Sequence, residues 1–355
     1  MNITPELIAP LLREYGISTA ITNVEYFINR QNSDDNIKIV AKVEVRHRSP
    51  LVLKLTREPI HSHIEIERQC VFAEHLRRNG IATPEHYSAV GSYCLERTID
   101  GVRVNVVLED FAESETTAVD VKAAHEAGKL MARIHRLSFR DNFKIGAPTM
   151  FNALGRNNVS GIDRFRELAE KAEASMIKSV SYPHRFCKKP ELCREIIAIY
   201  NRKLASAADV WGRLPCSAVQ GDISVSNLYT SGDRLGVFDF NNSGDETLIG
   251  DMILEGLLMA NESKLAEGLS DSDRPAIFRS FLDGYRSICP LTSDERMAAC
   301  ELYPAYSALW FTKVERLSEL MHTPGACEKA DEMLGEMYEE INSDARRIFA
   351  SELFE

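Results

Sequence analysis

Residues 219–229 of this chain read VQGDISVSNLY, and residues 235–240 read LGVFDF. Among their oxygen-bearing side chains are Asp222, Asn227 five positions later, and Asp239 near the end of the following apolar run. Phosphoryl transfer from a nucleoside triphosphate needs an acceptor for the proton of the attacking hydroxyl, and it needs oxygen ligands for magnesium. The spacing matches that of a kinase catalytic loop and its metal-binding aspartate, so it predicts a phosphotransferase site.

Each of these side chains also has an ordinary structural explanation. An aspartate after glycine suits a turn, an asparagine suits a capping position, and an aspartate at a strand end is common. The joint occurrence of the three at this spacing, between apolar runs, favours the catalytic interpretation.

The two segments resemble those of the aminoglycoside phosphotransferase and choline kinase superfamily. Its usual motif is His-Gly-Asp, four residues, Asn, and then a strand that ends in Asp. The resemblance implies that Asp222 accepts or orients the hydroxyl proton, that Asn227 and Asp239 hold Mg²⁺, and that ATP or GTP is the phosphate donor. Gln220 stands where the family usually has His, and Asn241 stands where Gly or an acidic residue is more frequent. Neither departure removes a metal ligand or the catalytic carboxylate.

A lysine that holds the nucleotide phosphates is the second expected feature. Residues 52–55 read VLKL, which places Lys54 in an apolar strand, where a charge is costly unless it is paired. A lysine on the solvent face of an alternating strand explains the pattern equally well on its own, and the later motif favours the functional interpretation. The resemblance implies a glutamate partner on the following helix. Gln69 occupies the expected position, so the candidates are Glu65 and Glu67, about a turn away. The alternative is that both glutamates are solvent-exposed charges on the helix.

No glycine-rich loop joins the first two predicted strands, where residues 33–36 read SDDN. Relatives of the aminoglycoside kinases often use Ser or Asn groups near the phosphates instead, so the resemblance makes Ser33 a candidate, although a polar hairpin tip is an equal explanation. Adenine binding needs backbone donors and acceptors in an apolar slot. The segment 107–112 between the predicted lobes fits that role, with Glu109 and Phe111 as positional candidates.

Hydrophobic patterning predicts an α+β architecture, and the resemblance implies that it is a bilobal, protein-kinase-like fold. A five-stranded antiparallel sheet with one helix is predicted for a nucleotide-binding lobe over residues 1–108, with its fourth strand over 86–95. The predicted hinge covers residues 109–114. It is followed by a mainly helical catalytic and substrate-binding lobe over 115–355. Within the second lobe, 140–190 is polar and irregular, and its pattern does not define a structure.

The bulk composition narrows the function class. The net charge of −11 and the pI near 5.4 argue against a general nucleic-acid binder, which needs clustered basic residues. No apolar run reaches the roughly 18 to 20 residues that span a bilayer, and the eight cysteines show no Cys-x-x-Cys pair. We therefore predict a cytoplasmic protein with reduced thiols, without nucleic-acid or membrane partners. The sequence does not define an oligomeric state.

The sequence thus predicts an ATP- or GTP-dependent, Mg²⁺-dependent phosphotransferase that phosphorylates a hydroxyl group of a small molecule. Aminoglycosides and amino alcohols are the candidate acceptors that the resemblance implies. The alternative is a nucleotide-binding pseudokinase that acts as a regulatory or interaction module, motivated by Gln220, Gln69 and the missing glycine loop. A protein kinase is disfavoured because the chain lacks His-Arg-Asp, Asp-Phe-Gly and Ala-Pro-Glu motifs.

Overall fold

The computed structural model describes residues 4–18, 20–33, 36–59, 61–113, 115–155, 160–177 and 189–350. The chain divides into two compact units. The first comprises Met1–Met150, Ser217–Asp245 and Asn261–Cys289, and the second comprises Phe151–Cys216, Glu246–Ala260 and Pro290–Glu355. The predicted lobe boundaries at residues 1–108, 109–114 and 115–355 describe a different division and stay a prediction, and residue 114 lies outside the described residues.

A five-stranded antiparallel sheet with one inserted helix forms the start of the first unit. Its elements are α1 (Pro5–Glu14), β1 (Ile21–Ser33), β2 (Asn36–Val45), β3 (Leu51–Arg57), α2 (His63–Arg78), β4 (Cys94–Ile99) and β5 (Val102–Asp110), and the strand order is β1-β2-β3-β5-β4. Along β2 every second residue is buried, because alternate side chains point to opposite faces of a sheet. The predicted sheet and helix are confirmed.

The fourth strand lies later in the chain than predicted. We expected it over 86–95, whereas β4 covers Cys94–Ile99. The segment before it contains Pro84, which lacks a backbone N–H, and its Val90 and Gly91 have φ values of 54° and 84°. These conformations are incompatible with an extended strand.

The remaining elements follow in chain order. They are α3 (Val121–Arg140), α4 (Ile162–Ile177), α5 (Pro190–Trp211), β6 (Cys216–Val219), β7 (Leu228–Ser231), β8 (Arg234–Val237), β9 (Gly244–Thr247), α6 (Leu248–Glu262), α7 (Arg274–Arg286), α8 (Ser293–Ala308), α9 (Phe311–His322), α10 (Cys327–Ile341) and α11 (Arg346–Phe349), with 3₁₀ turns at Val225–Asn227 and Asp271–Asp273. The mainly helical character predicted for this half is confirmed, and together with the sheet it gives the α+β kinase-like fold class.

The second unit is built on helices around an apolar core, to which α4, α5, α9 and α10 all contribute. Helix α4 lies inside the segment 140–190, where we could not define a structure. Its Phe165, Leu168, Ala169 and Ala172 are buried at helical spacing, which explains why this part is helical. None of the helices in the described part of the chain has the length and apolar character that crossing a bilayer would require.

Helices α3 and α7 of the first unit pack with their backbones very close together. A Cβ atom on Gly128 would lie 2.0 Å from the carbonyl oxygen of Phe281, and one on Gly284 would lie 2.0 Å from the carbonyl oxygen of His125. Real carbon–oxygen contacts do not reach these distances, so the helices can approach only because both positions are glycine.

We predict that Gly128→Ala lowers the free energy of unfolding by about 1–3 kcal/mol or more, because the added methyl forces α3 away from α7. The matched control is Gly335→Ala in α10, where a Cβ would meet nothing within 4 Å. There the helix propensity of alanine should raise stability by about 0.5–1 kcal/mol. Thermal and urea unfolding midpoints measure both effects, and equal responses of the two variants would contradict the close packing.

Candidate active site

Lys54 lies on β3 with only 8% of its surface exposed. Its Nζ is 2.9 Å from Oε1 of Glu109 and 3.4 Å from Oδ1 of Asp239. Burial alone lowers the pKa of Lys54, but the carboxylates of Asp239 and Glu109 outweigh it, and the pKa is raised above its ordinary value. Lys54 is therefore a buried, charged ammonium that touches two acidic side chains.

Glu109 lies near the end of β5 and holds two partners at once. Besides its contact with Lys54, its Oε2 lies 3.0 Å from Nε2 of His86. Burial raises the pKa of Glu109, but the charge of Lys54 and the hydrogen bond from His86 outweigh that effect, so that the pKa falls to about 2. Glu109 is thus an ionised carboxylate that neutralises Lys54 inside the first unit.

The loop after β6 carries Asp222 and is tied to the segment of Asp239 by one side chain. Gln220, which is fully buried, donates from Nε2 to the carbonyl oxygen of Asp239 at 2.8 Å. Its Oε1 accepts the backbone N–H of Asp222 at 2.9 Å. A single neutral amide therefore fixes the two aspartates of the motif relative to each other.

The carboxylate of Asp222 is held in place but not neutralised. Asn242 donates from Nδ2 to its Oδ2 at 3.0 Å. Burial, and secondly the nearby charge of Asp239, raise the pKa of Asp222, while hydrogen bonds to Ser224, Asn227 and Asn242 offset part of the rise. A carboxylate with a raised pKa is a better proton acceptor, which suits a group that receives the proton of a hydroxyl.

Asn227 and Asp239 offer the oxygen atoms that a magnesium ion would require. Asn227 donates from Nδ2 to the carbonyl oxygen of Asp222 at 2.9 Å, which leaves its Oδ1 for another partner. Asp239 has a φ of 57°, a left-handed conformation that non-glycine residues adopt mainly in special sites, and its side chain is one-third exposed. Mg²⁺ is usually held by one or two protein oxygens together with phosphate oxygens, so this pair fits the ion.

No group of three or more His, Cys, Asp or Glu residues within the described ranges is arranged to hold a metal ion.

Helix α2 is anchored to the chain just after Asp239. Gln69 is 3% exposed, and its Nε2 donates to the carbonyl oxygens of Asn241 at 2.9 Å and Ser243 at 3.0 Å. The hydroxyl of Ser243 in turn donates to the carbonyl oxygen of Gln220 at 3.0 Å. The amide therefore joins α2 to the segment that carries the candidate metal ligand.

The partner that we predicted for Lys54 is wrong, because Glu109 takes the place of Glu65 or Glu67. The Glu65 carboxylate lies 3.3 Å from Nδ1 of His61. The Glu67 carboxylate accepts the backbone N–H of Tyr93 at 2.8 Å, and it also accepts bonds from the Ser92 hydroxyl and the Cys94 N–H. The Glu67 carboxylate is thus hydrogen-bonded to the segment that leads into β4.

The three other nucleotide-binding candidates, Ser33, Phe111 and Glu109, differ in their surroundings. Ser33 is exposed and pairs with Asn36 at the end of β1, while the two residues between them lie outside the described residues. Its predicted phosphate contact stays a prediction. Phe111 donates its backbone N–H to the carbonyl oxygen of Pro50 at 3.0 Å, so that donor is already used. Glu109 acts here through its side chain on Lys54.

Two residues that build the site, His86 and Asn242, were not predicted from the sequence, and neither was the structural role of Gln69. Each contacts a residue far away in the chain, so no local spacing signals it. At both positions where a glutamine replaces an expected ionisable residue, Gln69 and Gln220, the side chain binds main-chain groups in the structure.

We predict that Lys54 and Glu109 are energetically coupled. Removing either partner alone leaves the other buried charge with only its second contact, Asp239 for Lys54 or His86 for Glu109, and should cost up to about 3–5 kcal/mol, whereas replacing both removes the buried pair. The double-mutant cycle of Lys54→Met with Glu109→Gln, measured by chemical unfolding, should therefore give a coupling energy of about 2 kcal/mol or more.

The matched control is the same cycle between Lys54→Met and Glu67→Gln. Because Glu67 binds the chain near β4, these two effects should add to within about 0.5 kcal/mol. A larger coupling energy with Glu67 than with Glu109 would indicate that Lys54 pairs with Glu67 of helix α2, and it would contradict the observed pairing.

Comparison with known proteins finds relatives by structure alone. No family model matches the sequence, and no curated protein is detectably similar to it in sequence. An amicoumacin kinase in complex with AMP-PNP and Ca²⁺ is similar with a TM-score of 0.58 and 11% identity, over 91% of each chain.

Two further solved structures extend this comparison. An aminoglycoside phosphotransferase from Alicyclobacillus acidocaldarius has a TM-score of 0.58 and 11% identity, over 98% of this chain and 95% of its own. A microcompartment-associated aminopropanol kinase has a TM-score of 0.55 and 15% identity, over 94% and 95%. The chain therefore has the fold of the aminoglycoside phosphotransferase and choline kinase-like superfamily.

Proposed function

We propose that this protein transfers the terminal phosphoryl group of ATP or GTP to a hydroxyl group of a small molecule. One observation carries the proposal: the structure brings Lys54, from β3, within 3.4 Å of Asp239, which is 185 positions further along the chain. Gln220 ties Asp239 to Asp222, and Asp222 in turn accepts from Asn242. This set supplies the phosphate-binding, metal-binding and proton-accepting groups that phosphoryl transfer uses.

Asp222 is proposed to position the acceptor. It holds the substrate hydroxyl in line with the terminal phosphorus and takes up its proton as the new oxygen–phosphorus bond forms and the bond to the leaving diphosphate breaks. Because such transition states are loose, orientation contributes more than early deprotonation. The bond from Asn242 keeps the carboxylate in one orientation for this purpose.

Asn227 and Asp239 are proposed to hold Mg²⁺, and Lys54 is proposed to bind the donor phosphates. The metal, when bound, would neutralise charge on the phosphate oxygens. Lys54 contacts the carboxylate of Asp239, so its ammonium would lie close to phosphate oxygens that share a metal ion with that carboxylate. Glu109 is proposed to hold Lys54 in position through its side chain, and its predicted backbone contact with adenine stays a prediction.

The acceptor class is the least constrained part of the proposal. Several structural neighbours act on amine-bearing small molecules, among them an aminopropanol kinase and an aminoglycoside phosphotransferase. Aminoglycosides and amino alcohols are therefore the first acceptors to screen. Because nucleoside triphosphates are intracellular donors, the proposal includes a cytoplasmic location.

The pseudokinase alternative is motivated by Gln220, Gln69 and the missing glycine loop. In the structure, both glutamines donate hydrogen bonds that hold the segments around Asp239 in place. The substitutions therefore accompany an assembled site, which supports catalysis over a degenerate site.

We predict that Asp222→Asn lowers kcat by about 10²–10⁴-fold, because it removes the proton acceptor and leaves the shape unchanged. Nucleotide affinity, measured by calorimetry with Mg²⁺, should change little. Asp233→Asn, at the exposed β7–β8 turn of the same segment, is the matched control and should retain full turnover.

Turnover is measured as nucleoside diphosphate formation with the acceptor panel and, without acceptor, as slow hydrolysis. Wild-type activity that disappears in Asp222→Asn would exclude the pseudokinase alternative. Turnover preserved in that variant would overturn the assignment of Asp222.

A further inference from the structure

A basic pocket of about 480 Å³ lies in the first unit, apart from the side chains of the candidate active site. Arg133, Arg136 and Arg140 line it from α3, and Arg234 lines it from the start of β8. On a helix, positions separated by three, four or seven residues share one face, so the first three guanidinium groups point to the same side. The fourth comes from a separate segment of the chain.

Acidic side chains compensate few of the positive charges of these arginines. Arg140 is paired with Asp141, at 2.6 Å. Within the described ranges, Arg133, Arg136 and Arg234 have no ion pair, and no acidic side chain lines the pocket. The chain has 53 acidic and 42 basic residues, so carboxylates are abundant elsewhere.

The end of the helix explains only part of this arrangement. A basic side chain in the last turn interacts favourably with the helix dipole, which accounts for Arg140. That effect fades within one turn, so it does not account for Arg133, and it has no bearing on Arg234 in a strand. Like charges that converge on a concave surface repel one another unless an anion lies between them.

We propose that this pocket binds a small metabolite that carries two or more phosphate groups. The guanidinium fork matches phosphate oxygens with two parallel hydrogen bonds, and the three groups without an ion pair, Arg133, Arg136 and Arg234, offer more donors than one phosphate needs. A volume of about 480 Å³ suits a small ligand rather than a macromolecular surface. Leu137, which also lines the pocket, offers apolar contact for the rest of the molecule.

The pocket also lies where two elements of the candidate active site end. Asn79, the residue after α2, lines it, and α2 carries Gln69, which binds the segment after Asp239. Strand β8 begins at Arg234 and runs toward Asp239. A ligand that bridges α3, β8 and the end of α2 would therefore stabilise the elements that position Asp239.

The test is calorimetric titration of the purified full chain with inorganic pyrophosphate, without Mg²⁺ and at about 0.15 M ionic strength. Orthophosphate is the single-phosphate probe and should bind more weakly. Because pyrophosphate could also bind at the nucleotide site, the titration is repeated in Lys54→Met/Glu109→Gln, which removes that cation together with its buried partner. We expect binding to the pocket to persist there.

The pocket variant is Arg133→Gln/Arg234→Gln, and we expect its affinity for pyrophosphate to fall by about tenfold or more. The control Arg202→Gln/Arg316→Gln makes the same charge change at exposed arginines of α5 and α9 and should leave the affinity unchanged. All four arginines are exposed, so both variants should fold, which their melting temperatures check. Equal losses in both variants, loss only in Lys54→Met/Glu109→Gln, or no binding to the wild type would each overturn the proposal.

Discussion

The buried positive charge of Lys54 is the constraint on which the candidate site depends. Removing an ammonium from water costs several kcal/mol, and only close carboxylates in good geometry offset that cost. Glu109 and Asp239 provide them at 2.9 and 3.4 Å. One of these carboxylates, Asp239, is also the candidate metal ligand. The interaction that offsets the burial of Lys54 therefore also sets the distance between the proposed phosphate-binding cation and the proposed metal-binding oxygen. His86 completes the arrangement by orienting the other carboxylate.

Neutral amides hold the remaining parts in place. Gln220 fixes the carbonyl of Asp239 and the N–H of Asp222, and Gln69 fixes the two carbonyls that follow Asp239. These bonds satisfy main-chain groups that would otherwise be buried without partners, and they support the left-handed backbone of Asp239. Since amides do not titrate, this support persists at any pH at which the fold does. The charge needed for chemistry is thereby concentrated on Lys54 and a few carboxylates.

The sequence predicted the parts of the site that depend on local spacing and missed those that depend on register. Asp222, Asn227 and Asp239 lie in one segment, and Lys54 sits in a recognisable strand, so each could be named in advance. The partner of Lys54 could not, because Glu109 meets it only through the pairing of β3 with β5, which places Val52 opposite Glu109. The sheet and its helix were predictable from alternation and helical spacing. The fourth strand was predicted too early in the chain because amino-acid composition does not indicate the left-handed conformations before β4. Helix α4 was not predicted because the polar residues around it obscure its helical spacing.

A phosphotransferase site built on Lys54 and Asp239 is tested by the melting temperature of the protein with ATP or GTP, each with and without Mg²⁺, in the wild type and in Asp239→Ala. A ligand that binds only the folded chain raises the melting temperature, and the rise grows with ligand concentration and affinity. We predict a rise that needs both nucleotide and Mg²⁺ and that disappears in Asp239→Ala. A rise of equal size in that variant would place the metal and nucleotide elsewhere, and no rise with either nucleotide would contradict a phosphotransferase site built on Lys54 and Asp239.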